Sequence, residues 1–271
     1  MHLGATLYTF LVLKNRPRRL VEVFRLQYDE TQPPSQSRVD IPVKIQNTGG
    51  IDLKILVVAF FAVTTLAHFL YATDFFGKGW YSKSVLGFGW NPFRWIEYSL
   101  SAGLMIYLIS IASGTKDNVS ATSTALITPG LMFSGLTNER VLQQNALHNW
   151  SLNPTTTKPY VDPYILYTNL IPAWFLFGIK WYVILSNYSK LQQEAKDKGE
   201  SLDGSVGFMV FSQLFFFSLF GVIQTYQSYR WATLKVGRIE PSYLSYEKAY
   251  IVLSAVTKLA LAGTVVYALR D

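Results

Sequence analysis

Lys258 sits in the run YIVLSAVTKLALAGTVVYAL, with two to three helical turns of apolar residues on either side. An ammonium placed there has no short route to water, so it needs a partner or a change of chemistry. A lysine in a low-dielectric site gives up its proton readily, and a neutral amine can condense with a carbonyl compound to a Schiff base. The other reading is a structural ion pair with a buried acid. Residue chemistry alone weighs the two equally. Glu97, in RWIEYSLSAG, is the acid that could face the amine. It would hold the positive charge of a protonated Schiff base and tune the energy gap of a conjugated chromophore. Its alternative is a local pair with Arg94, one turn earlier. Ser254, one turn before Lys258, and Ser101, one turn after Glu97, share the faces of these two groups. Both can hydrogen-bond a charged site or serve the commoner role of packing helices.

Other polar residues in apolar surroundings are fewer. Lys180 lies toward the polar end of its segment at 186–188, where snorkelling accounts for it. His68, in TLAHFLYAT, fits either a polar cluster near Lys258 or the membrane interface, and His2 could join it if the first segment spans. Glu139, Glu194, Glu200 and Glu247 fall near helix ends or in loops. Phe215, Phe216, Phe217, Phe220 and Trp174 form aromatic stripes. These usually mean helix packing, and beside an intramembrane lysine they also suit a flat apolar polyene. No metal site is expected.

The elements that must carry these residues are membrane spans. Of the 271 residues, 50% are hydrophobic and only 15% charged, with mean hydropathy +0.19; a soluble domain has about 25% charged residues. A span needs about 20 apolar residues, and seven apolar segments are found. They are Met1 to about Leu13, Leu53–Thr73, Pro92–Ser113, Ser120–Gln144, Asp162–Tyr188, Ser205–Tyr229 and Ser242–Leu269. The first is short, either clipped at its start or only partly inserted. The fourth is the least apolar. Pro129 and Pro172 fall inside helices, which bilayer-spanning helices tolerate. Trp80, Trp90, Trp95, Tyr188, Tyr229 and Trp231 lie near predicted ends, as in an aromatic belt. The fold class is therefore all-α, a single seven-transmembrane-helix bundle over residues 1–271. A short β-hairpin is possible in the long loop after the first segment, where VDIPVKI alternates. KLQQEAKDKGESLDG is expected to be a solvated loop.

The net charge of +7 points to loop cations facing anionic lipid, not to nucleic acid. Cysteine is absent, which removes disulfide and thiolate chemistry. No signal peptide is expected. Lys14, Arg16, Arg18, Arg19, Arg25, Arg38 and Lys44 crowd the first long loop, and a literal positive-inside count would put that loop in the cytoplasm.

The lysine in SAVTK, the run RWIEYSLSA, LAHFLYAT, FFFSLFGVIQ and the long first loop together resemble the heliorhodopsins over nearly the whole chain. The resemblance implies all-trans retinal bound covalently to Lys258, with Glu97 as its single counterion and Ser254 and Ser101 flanking the pair. It implies a polar cavity with His68 and His2, and a retinal pocket with Trp174, Phe217, Phe220, Gln224, Thr128 and Leu131. It further implies a homodimer in lipid with a cytoplasmic N-terminus, against the charge count, and light sensing through an unknown signalling partner instead of enzyme activity. Light-activated proton transport is the alternative output. The chain departs from the common pattern at Ser218 and Thr128, where many members carry asparagine.

Overall fold

The computed structural model describes residues 20–28, 43–86, 89–152, 163–233 and 240–268. Two strands come first. β1 (Leu20–Tyr28) pairs antiparallel with β2 (Val43–Asp52), from Leu20 opposite Asp52 to Tyr28 opposite Val43, with an irregularity between Glu22 and Phe24. The expected β element is thus a pair of strands, and its first strand lies upstream of the VDIPVKI stretch. The turn of the expected hairpin lies outside the described residues.

Six α-helices follow among the described residues: α1 (Leu53–Ala72), α2 (Pro92–Ala112), α3 (Asn118–Leu152), α4 (Pro163–Asp197), α5 (Gly204–Thr233) and α6 (Glu240–Ala268). The first apolar segment and His2 lie outside the described residues, so the expected seventh helix is not among these six. A π-helical turn, Tyr81–Leu86, lies between α1 and α2.

Local chemistry sets the helix starts. Asp52 caps α1 by accepting the Lys54 N–H at 3.0 Å, and Asn91 caps α2 by accepting the Arg94 N–H at 3.1 Å, with Pro92 in the first turn. Each side chain satisfies a backbone donor that the helix leaves open. Gly114, at φ +98°, makes the tight exit from α2, and an added Cβ would meet Leu191 Cβ at 3.0 Å.

Five of the helices are long and apolar enough to cross a membrane. The exception is α3, whose first half carries Asn118, Ser120, Thr122, Ser123, Thr124 and Thr128. Leu66, Leu100, Leu126, Ile171, Phe175, Phe208, Phe215 and Val252 are exposed on the outer faces. That apolar exterior suits lipid and would be costly in water. The interior is polar by comparison: Glu97, Lys258, Arg94, Glu139, Glu247 and Lys180 are all buried. This inside-out distribution makes the chain an integral membrane protein.

Three expectations about placement are corrected. Trp95 and Tyr188 turn inward and are buried, so they do not join an interfacial belt. KLQQEAKDKGESLDG is helical in its first part, because α4 runs on to Asp197. Lys180 does not snorkel. Its side chain is 1% exposed, turned into the bundle where the rings of Phe177 and Phe217 receive its amine.

Candidate chromophore site

Lys258 and Glu97 are 161 residues apart in sequence, and α6 and α2 bring them together. Lys258 Nζ donates to Glu97 Oε1 at 2.9 Å and to Ser254 Oγ at 2.8 Å. The i, i+4 spacing of Ser254 and Lys258 makes the second contact possible. Thr64 of α1 also donates to Glu97 Oε1. All four side chains are buried, and a buried ion pair with further hydrogen bonds is the arrangement that offsets the cost of desolvating two charges. The amine also lies 5.4 Å from the centre of the Tyr98 ring. Ser101 is fully buried one turn after Glu97, on the carboxylate's side of the pair. His68 does not touch Lys258. Its Nδ1 is 2.8 Å from the backbone oxygen of Thr64, so it adjoins the Glu97 side of the cluster.

A hollow opens from Lys258. Its near part is lined by Tyr98, Ser101, Ala102, Met105, Met132, Phe217, Phe220, Ser254, Thr257 and Lys258. The farther part shares Tyr98, Met132, Phe217 and Phe220 and adds Trp95, Leu131, Gly135, Trp174, Phe177, Lys180, Gly221, Gln224 and Tyr250 among others. The walls are flat and aromatic. Phe220 stacks on Tyr250 at 6.2 Å and meets Tyr98 edge-on at 5.6 Å. Two glycines keep the space open. A Cβ on Gly221 would approach the Trp174 ring to 2.8 Å, and one on Gly135 would overlap the Trp95 indole. The lining, aromatic and almost wholly apolar with an amine at one end, suits a flat apolar group with a reactive end at Lys258.

Of the expected pocket residues, Trp174, Phe217, Phe220, Gln224 and Leu131 line the hollow. Thr128 is fully buried on α3 but lies outside the lining, and its hydroxyl has no partner.

A second cluster was not foreseen. Arg94 pairs with both Glu139 of α3 and Glu247 of α6, so the local Arg94–Glu97 pair does not form. Trp95 Nε1 donates to Glu139 at 2.9 Å, Asn91 Nδ2 to Glu247 at 2.7 Å and Gln227 Nε2 to Glu139 at 3.2 Å. Tyr250 Oη donates to Gln224 at 2.6 Å and lies 3.2 Å from Gln227, which joins this cluster to the hollow. Tyr81 lies 3.5 Å from Glu247, and burial pushes its phenol up, so it remains a neutral donor. Glu139 and Glu247, expected near helix ends or in loops, are 2% exposed. Their acid identity inside long helices was the available signal. Their partner, 45 and 153 residues away, was not legible.

The family model described as heliorhodopsin matches residues 5–269 of the chain. No curated protein matches it.

Proposed function

Because the chain belongs to the heliorhodopsin family, we propose that it is a light-responsive photoreceptor in which all-trans retinal is held covalently on Lys258, with Glu97 as the single counterion. Family and apolar helices together make it a retinal-binding, rhodopsin-like integral membrane protein. The observation that carries the finer reading is the Lys258–Glu97 contact of 2.9 Å, with Lys258 lining an aromatic hollow.

When bound, retinal supplies visible absorption and a light-driven isomerisation. The chain's own residues do the rest. Lys258 Nζ is the attachment point, and Glu97 holds positive charge there. Ser254 aims the amine, and Thr64 fixes the carboxylate. The rings of Tyr98, Phe217 and Phe220 exclude water and keep the hollow flat. A proton leaving Lys258 Nζ has Glu97 Oε1 and Ser254 Oγ within 2.9 Å and 2.8 Å.

The output in this reading is sensory. A dimer in the bilayer, N-terminus in the cytoplasm, passes the change to a signalling partner through its loops, without enzymatic chemistry of its own. Light-activated proton transport is the second reading, and one observation favours it. Buried Glu139 reaches the hollow through Gln227 and Tyr250, and buried Glu247 shares Arg94 with it, so the interior holds more acid than Glu97 alone.

The test is a visible spectrum of protein purified with all-trans retinal. Wild type is expected to absorb, Lys258→Ala to be colourless yet folded, and Glu97→Gln to be shifted to the red. A coloured Lys258→Ala protein would sink the attachment, and an unshifted Glu97→Gln protein would sink the counterion.

A further inference from the structure

We propose that Lys180 is a second charged residue of the chromophore cavity and that its ammonium shifts the absorption band to shorter wavelength. The inference rests on the reading that retinal is attached to Lys258. Lys180 is 1% exposed in the middle of α4. Its amine lies 5.5 Å from the centre of the Phe177 ring and 5.1 Å from that of Phe217. Among the described residues no hydrogen bond or ion pair reaches it. The buried carboxylates are taken elsewhere, Glu97 by Lys258 and both Glu139 and Glu247 by Arg94. Burial favours the neutral amine, whereas aromatic faces receive a desolvated cation favourably; the two rings beside Lys180 are what hold the charge this proposal requires.

Its position gives the charge a consequence. Lys180 lines the far part of the hollow, with Trp174, Gly221 and Gln224, and is absent from the lining beside Ser254 and Lys258. A polyene attached at Lys258 carries its positive charge near that nitrogen in the ground state, and excitation moves the charge toward the far end. A cation beside the far end opposes the movement and widens the gap. In a low-dielectric interior such an interaction is only weakly screened. Glu97, of opposite sign at the opposite end, acts in the same direction by stabilising the ground state. The two groups therefore reinforce each other, and removing either moves the band to the red.

The test compares full-length wild type, Lys180→Met, Lys180→Arg and Lys258→Ala, each purified with and without all-trans retinal. Lys180→Met is expected to shift the band to the red, and Lys180→Arg to stay nearer to wild type. In the retinal-free state, Lys180→Met is expected to melt no lower than wild type, because an unpaired buried charge gives way to an apolar chain of similar length. An unmoved band in Lys180→Met, or an arginine variant shifted as far as the methionine one, overturns the proposal while leaving retinal on Lys258. If the methionine variant does not fold, Lys180→Gln gives the same comparison. A wild type without a visible band, like Lys258→Ala, overturns the attachment and this inference with it.

Discussion

Lys258 and Lys180 are both lysines in the middle of apolar helices, and their neighbours separate them. Lys258 has a carboxylate and a hydroxyl within 2.9 Å, whereas Lys180 has two phenyl rings. Sequence spacing anticipated the first, since Ser254 and Ser101 fall one turn from Lys258 and Glu97. It misjudged the second, because hydropathy records how far a residue lies from a polar end and not which way the side chain turns. The two serines also differ once contacts are known. Ser254 accepts from the Lys258 amine at 2.8 Å, whereas Ser101 stands on the Glu97 side of the pair. Ser254→Ala is therefore expected to destabilise the retinal-free protein by about 1.5–3 kcal/mol, the range for hydrogen bonds to charged groups. Ser101→Ala, which leaves the contact to the Lys258 amine in place, is expected to change it less. Thermal melts of the two variants in one detergent check this, and equal losses would mean that the 2.8 Å contact contributes nothing.

At the scale of elements, the apolar helices were legible almost to the residue. Leu53–Ala72 and Pro92–Ala112 differ by one residue at the C-terminal end from the segments read in the sequence. The two ends that were missed share a cause. Apolar character stops where the bilayer stops, but helical hydrogen bonding continues. Thus α4 runs on through KLQQEAKD, good helix formers with Gln193 bonded to Asp197 at 2.7 Å, and α3 extends to Leu152. The buried ion cluster was missed because its parts sit on three helices. Arg94 on α2 fastens Glu139 on α3 and Glu247 on α6, and Asn91, the cap of α2, adds a bond to Glu247. Arg94→Met strands two buried carboxylates and is expected to cost about 3–5 kcal/mol. Lys116→Met breaks a pair with Glu194 whose side chains are 63% and 50% exposed, and exposed pairs contribute about 0–1 kcal/mol. Chemical or thermal denaturation of the two variants should rank them clearly, and similar losses would show that the Arg94 cluster does not tie the helices together. At Gly135, where a Cβ would overlap the Trp95 indole, Gly135→Val is an overpacking change expected to cost about 1–3 kcal/mol. Trp95 lines the hollow, so the visible band should move as well; an unchanged melt and band would mean that the close approach is not needed.

For the whole molecule, the open question is whether light moves protons across it, and the arrangement of the polar clusters bears on that. The Lys258–Glu97 cluster continues through Thr64 toward His68 on α1. The Arg94 cluster connects instead through Gln227 and Tyr250 to the far part of the hollow. Arg94 and Glu97 are neighbours on α2, yet their partners lead in different directions. A guanidinium clamped by two carboxylates keeps both of them paired, and neither is then free to take up and pass on a proton. Glu139 and Glu247 are acids that could carry a proton only if that clamp opened. The expected result in voltage-clamped cells supplied with retinal is therefore no sustained photocurrent at any imposed proton gradient, as for a sensor. A current that reverses with the gradient and disappears in Glu139→Gln would instead assign the cluster to a proton route and make transport the output. Arg94→Met separates the cases further: if the clamp is what blocks conduction, this variant, once folded, should pass current under light where the wild type does not.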